Sequence, residues 1–153
     1  MAGWPSVLLS AEIGDLADDV RKLFQELGPP AGGRGAAGDC VPPIDVLETD
    51  EAIEVLVDLP GVPASSVRVL VKGPVLLVAG EKWVTGPGAG TGGYHLVERG
   101  SGRFARAVRL TTAFDGSKAR ATLLNGELRV TLPRIGERRG RGVPIAIETP
   151  SPK

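Results

Sequence analysis

Histidine and cysteine are almost absent from this chain: His95 and Cys40 stand alone among 153 residues. One cysteine forms no disulfide within the chain and no multi-cysteine metal site. One histidine leaves little for a metal cluster or a histidine-based catalytic triad, and His95 reads as an exposed residue near the end of a long loop. Cys40 falls in a Gly-rich stretch with no base beside it, which favours a free surface thiol over a cross-link between subunits. Aromatic residues make up only 4% of the chain, so aliphatic and β-branched residues must fill the core. Charge of one sign is also lacking: 18 basic and 18 acidic residues cancel, which argues against a nucleic-acid binder. The basic cluster between Arg134 and Arg141 reads as a solvated tail. Nowhere does an apolar run reach the roughly 18 residues a membrane helix needs. The N-terminus has neither the basic start nor the apolar stretch of a signal peptide, so the expected location is the cytoplasm. Gly88, Gly90 and Gly93 match G-x-G-x-x-G, but no amphipathic helix follows and Tyr94 to Val97 reads as strand. A G-K-[ST] phosphate loop is missing too. No cofactor and no catalytic centre are expected.

What is present divides into parts. Residues 1–27 form an arm. In it Ile13, Leu16, Ala17, Val20, Leu23, Phe24 and Leu27 recur at steps of three and four, one stripe of an amphipathic helix. Ser10 suits its start, Glu12 and Asp15 suit the positive end of its dipole, and Gly28-Pro29-Pro30 stops it. A lone helix of this length is marginal in water, so its stripe must bury against its own domain, a second subunit or a client. Only Arg21 and Lys22 are basic there against five acidic residues, which disfavours a membrane surface. Residues 28–41 read as a flexible linker, letting arm and body move independently.

Residues 42–133 read as all β, an immunoglobulin-like β-sandwich. Ile53, Val55, Val57 and Leu59 alternate with Glu54, Leu56 and Asp58, and Val67, Val69 and Val71 with Arg68, Leu70 and Lys72. Val75 to Ala79 is a continuous apolar strand. Turn signals break the strands at Pro60-Gly61, Gly73-Pro74 and Asn125-Gly126. Asn-Gly is the strongest of these, because a type I′ hairpin turn needs positive φ at both central residues. Residues 134–153 form a polar, Gly-rich tail that reads as a flexible extension.

Several stretches carry a resemblance. Ala121 to Leu128 matches A-x-x-x-N-G-x-L. Ile44-Asp45-Val46 with Glu48, the turn Val57-Asp58-Leu59-Pro60-Gly61, and Gly80-Glu81-Lys82 precede it. So does the run Glu98-Arg99, Gly102, Phe104, Arg106. In this order they resemble the α-crystallin domain of the small heat shock proteins, bacterial and plant type, over residues 42–133. One departure is Leu110-Thr111, where that family has Leu-Pro.

The resemblance implies an ATP-independent holdase that binds unfolding proteins through apolar contacts. It implies a homodimer made by strand exchange, in which Tyr94, Leu96, Val97 and Glu98 pair with Ile44 and Val46 of a second chain. A disordered surface loop is the other reading of that segment. It places Arg106 in ion pairs at the dimer interface; a solvated arginine is the alternative. It implies a tail hook of the I-x-[IV] type at Ile145-Ala146-Ile147, with Val143-Pro144-Ile145 as an overlapping register. The hook would enter a groove of Val67, Val69, Val71 and Leu123 on a neighbouring dimer and so build a larger homo-oligomer. Burying each isoleucine is worth roughly 1.5–3 kcal/mol against about 1–2 kcal/mol per ordered backbone residue. A single hook is therefore weak, and many together hold. Clients would meet Ile13, Leu16, Val20, Leu23, Phe24 and Leu27 of the arm. By family analogy they would pass to ATP-dependent chaperones. A monomeric co-chaperone of the CS-domain type, binding one defined partner, is the rival reading; a β-sandwich of structural type is another.

Overall fold

In the computed structural model, residues 10–29, 40–83, 92–136 and 144–147 are described, with the side chains of 10–15 set aside. Among the described residues one helix, α1 (Ser10–Glu26), precedes seven strands: β1 (Ile44–Glu48), β2 (Ala52–Asp58), β3 (Val67–Lys72), β4 (Val75–Lys82), β5 (Gly102–Arg109), β6 (Arg120–Leu124) and β7 (Glu127–Pro133). The strands form two antiparallel sheets, ordered β1-β2-β7-β6 and β3-β4-β5.

The helix includes Ser10 as its first residue and ends where glycine allows the chain to turn. Gly28 adopts φ 77° and donates to the Gln25 carbonyl at 3.1 Å, a left-handed helix end that side chains disfavour. The Asn-Gly hairpin forms between β6 and β7, with φ 52° at Asn125 and 75° at Gly126. Leu59 N–H donates to the Gly126 carbonyl at 2.6 Å, which locks this hairpin against the Pro60-Gly61 turn.

The two sheets bury different numbers of faces. In β2 and β7 buried residues alternate with half-exposed ones. Ile53, Val55 and Val57 pair with Leu132, Val130 and Leu128 on the inner face. The other face of that sheet carries Glu54, Arg129 and Glu127, ion-paired in the solvent at 3.3–3.6 Å. β4 behaves otherwise, since Val75 to Glu81 are all buried. Leu76 and Val78 enter the sandwich core with Phe104 and Val108. Val75, Leu77 and Ala79 point the opposite way, and α1 covers them. A strand buried on both faces needs a third layer, and a continuous apolar run is its sequence mark. The arm's stripe rests on the outer face of the three-stranded sheet, which is burial against its own domain, one of the three possibilities that the sequence leaves open.

Gly80 makes a close approach in β4. A Cβ there would lie 2.7 Å from Cζ of Phe104 and 2.6 Å from the Ser66 carbonyl oxygen. Phe104, the one buried aromatic ring among the described residues, thus takes the space that glycine leaves.

Candidate functional site: open edges and a covered face

The sandwich has two pairs of free edges. On one side lie β1 and β5. Arg106, on the inner face of β5, donates from Nη1 to the Pro42 carbonyl at 3.2 Å, just before β1 begins. This arginine is half-buried, and its fork bridges the two sheets at their open margin. Ile44 and Val46 are half-buried on the inner face of β1 and touch the core. Unpaired main-chain groups on an edge strand are a template for another strand.

Tyr94 to Glu98 forms no strand within the single chain; the strand expected from the sequence is one completed by a second chain. Tyr94 and Leu96 are 70% and 73% exposed, and Val97 is exposed as well. The reason is physical: a strand exists through the hydrogen bonds of its neighbour, and this segment has none in its own sheet. His95 is exposed beside them.

On the opposite side lie β3 and β6. Val67 is buried, and Val69, Val71 and Leu123 are half-buried against the core. A 3-10 turn at Gly116–Lys118 feeds β6 and comes close to Val71, with an ideal Cβ on Gly116 only 3.4 Å from Val71 Cγ1. That turn is held by Asp115, which accepts from the Ser117 N–H at 3.0 Å and from its hydroxyl at 2.5 Å. These bonds, the hydroxyl's foremost, hold the Asp115 carboxyl below its usual range. Ile145 and Ile147 do not enter this margin in their own chain; they are 89% and 96% exposed. Val143 lies outside the described residues.

Of the arm stripe, Leu16 and Leu23 are buried against β4, Val20 and Phe24 are half-buried, and Leu27 is half-exposed. The side chain of Ile13 lies outside the described residues. Sequence reasoning missed what holds this helix. Arg103 of β5 donates from Nε to Glu81 Oε1 at 2.5 Å and from Nη2 to the Gly28 carbonyl. Its guanidinium also stands 5.4 Å from the centre of the Phe24 ring. The last turn of α1 has no basic residue of its own, so β5 supplies the cation that the negative end of the helix favours. Glu81 is only 6% exposed and accepts a second bond from Trp83 Nε1 at 3.3 Å. At the other margin of the face, Lys72 meets Asp19 at 3.0 Å and Arg68 meets Glu26 at 3.4 Å. The signal available in the sequence was the unbroken run from Val75 to Ala79, which one buried face alone does not explain.

Cys40 is also placed differently from the sequence reading. It is half-buried against the core rather than a surface thiol, and burial raises its pKa above the usual thiol value while Lys82 pulls the other way. Among the described residues no group of three or more His, Cys, Asp or Glu side chains converges on a point where a metal could sit. Nor is any described helix long and apolar enough to cross a membrane.

Among the described residues, seven strands make an antiparallel sandwich whose edge strands leave main-chain groups open to pairing, with Ile145 and Ile147 exposed. Residues 45–147 match the Hsp20/alpha crystallin family, and the chain belongs to it. A 21.9 kDa heat shock protein of Oryza sativa subsp. japonica is 38% identical over 141 residues, covering 82% of this chain and 68% of that protein. A 26.7 kDa chloroplastic heat shock protein of the same plant is 35% identical over 125 residues, which cover 78% of this chain and 52% of the relative. This chain thus spans about half the length of that relative. Among solved structures, heat shock protein 16.0 from Schizosaccharomyces pombe superposes with a TM-score of 0.59 at 32% identity, covering 72% of this chain and 100% of that one. Membership supports a chaperone role; the family consists of small heat shock chaperones, which are not enzymes.

Proposed function

We propose that this protein is an ATP-independent holdase of the cytoplasm that captures unfolding proteins and keeps them from aggregating. The observation that carries the reading is apolar surface left exposed outside the strands: Tyr94, Leu96 and Val97 in one segment, Ile145 and Ile147 in another. Large apolar side chains held in water by a chain with an intact core mark contacts still to be made. Tyr94 to Glu98 pairs with β1 of a second chain, completing hydrogen bonds along an open edge and bringing Arg106 to the interface. Ile145 and Ile147, two residues apart in an extended segment, point the same way and enter the margin between β3 and β6 of a neighbouring dimer. Clients bind by burial of apolar surface, which is non-directional and tolerates many sequences. They then pass to ATP-dependent chaperones.

The decisive assay is suppression of client aggregation without nucleotide. Light scattering from a heat-denatured client should fall at stoichiometric ratios, before and after mild heating of the chaperone. Unchanged scattering in both conditions rejects the holdase reading, and a monomer at all concentrations favours the co-chaperone reading. The Ile145→Ala/Ile147→Ala double variant is expected to reduce particle size to that of a dimer in sedimentation velocity. A particle of unaltered size would refute the hook.

A further inference from the structure

We propose that the outer face of the three-stranded sheet is a docking surface for an amphipathic helix of another protein, with carboxylates flanking its apolar stripe, and that α1 is its resident intramolecular ligand. The inference rests on the chaperone reading only for the source of that helix, an exposed segment of a non-native protein.

The face has a defined chemistry. Val75, Leu77 and Ala79 run down its centre, with Leu70 and Ala107 beside them. Cations stand along both margins: Arg68 and Lys72 on β3, Arg103 and Arg109 on β5, all on the outward side by the strand register. Arg103 is balanced by Glu81 on the same face, so the β3 row of Arg68 and Lys72 carries the selective charge, and an apolar strip beside that row selects an amphipathic helix with carboxylates along that side of its stripe. The helix α1 meets that description, placing Leu16 and Leu23 on the strip, Asp19 on Lys72 and Glu26 on Arg68.

Two observations make α1 displaceable. The sandwich core around Ile53, Leu76, Val78 and Phe104 contains no residue of α1, so the helix can leave without dismantling the sheets. Its contact with the face is also partial, since Val20 and Phe24 stay only half-buried. Ten residues, 30–39, connect the described helix to the body. A tether this short holds α1 at an effective concentration on the order of millimolar, so a seat with an affinity on the order of 100 µM is masked about tenfold.

The test is fluorescence anisotropy on the full chain with three labelled peptides. One copies residues 10–29. The second has an unrelated sequence with apolar residues at the α1 spacing and carboxylates in the places of Asp19 and Glu26. The third replaces those carboxylates with lysine. Two double variants free the face: Leu16→Asp/Leu23→Asp, and Asp19→Lys/Glu26→Lys, whose changes lie outside the sandwich core. The unrelated acidic peptide is expected to bind both variants about tenfold more tightly than the unaltered chain. Adding Arg68→Glu/Lys72→Glu to the Leu16→Asp/Leu23→Asp variant should transfer that preference to the lysine peptide. Equal binding by unaltered and freed chains overturns the proposal, as does equal binding of the acidic and lysine peptides. Binding of the α1 copy alone also overturns it, since the occupant would then be a second copy's helix. Suppressed client aggregation without peptide binding refutes the docking surface and leaves the holdase reading standing. Peptide binding without suppression does the reverse.

Discussion

An Arg103→Ala variant is expected to unfold about 6–12 °C below the unaltered protein in thermal melts followed by circular dichroism. The side chain answers three needs at once. It neutralises Glu81, caps the helix end at the Gly28 carbonyl, and lies over Phe24. Removing one partner of a buried ion pair costs about 3–5 kcal/mol, because the remaining charge stays out of water. The lower end applies, since Arg103 keeps 22% exposure and Trp83 still donates to Glu81. Arg103→Lys retains the charge but not the planar fork that reaches carboxylate and carbonyl together, so it should restore only part of the loss. Hydrogen exchange across α1 should rise in both variants. A melting point within a few degrees of the original, with α1 still protected, would show that the clasp contributes nothing.

Gly80→Ala is the second large effect, and it acts through a single methyl group. The new Cβ would lie 2.7 Å from the Phe104 ring and 2.6 Å from the Ser66 carbonyl oxygen. A ring edge can swing aside. The carbonyl belongs to the 3-10 turn Ala64–Ser66, directly before β3, so moving it shifts an edge strand. Overpacking of this kind costs about 1–3 kcal/mol and occasionally more; the backbone clash places Gly80→Ala at the upper end. The denaturant midpoint should fall with an unaltered slope. Gly136→Ala is the control, because nothing lies within 4 Å of a Cβ there and no φ constraint applies. Equal midpoints for the two variants would mean that β4 yields more easily than its packing suggests.

The same residues show where reading the chain succeeds and where it stops. Asn125-Gly126 is legible because positive φ at two successive positions is a local demand that few residue pairs meet. Ile53, Val55 and Val57 are legible because alternation follows from the two-residue period of a strand. The helix over Ser10–Glu26 is legible by its spacing of three and four. Tyr94 to Glu98 has the composition of a strand, yet strand structure depends on a neighbour that local sequence does not provide. Cys40 sits beside glycines and still lies half-buried, because Val41 and Pro42 lead straight into the sandwich.

Sequence by itself determined the elements of this protein, its turns, its inner core and its family, since each depends on periods and local backbone demands written within a few residues. Tertiary structure alone decided that α1 lies on β4, that Arg103 joins Glu81 to the end of a helix 75 residues away, and that acids on the helix meet Lys72 and Arg68. These contacts join segments far apart in the chain. An apolar run reveals that a face must be covered, and only the folded chain reveals by what.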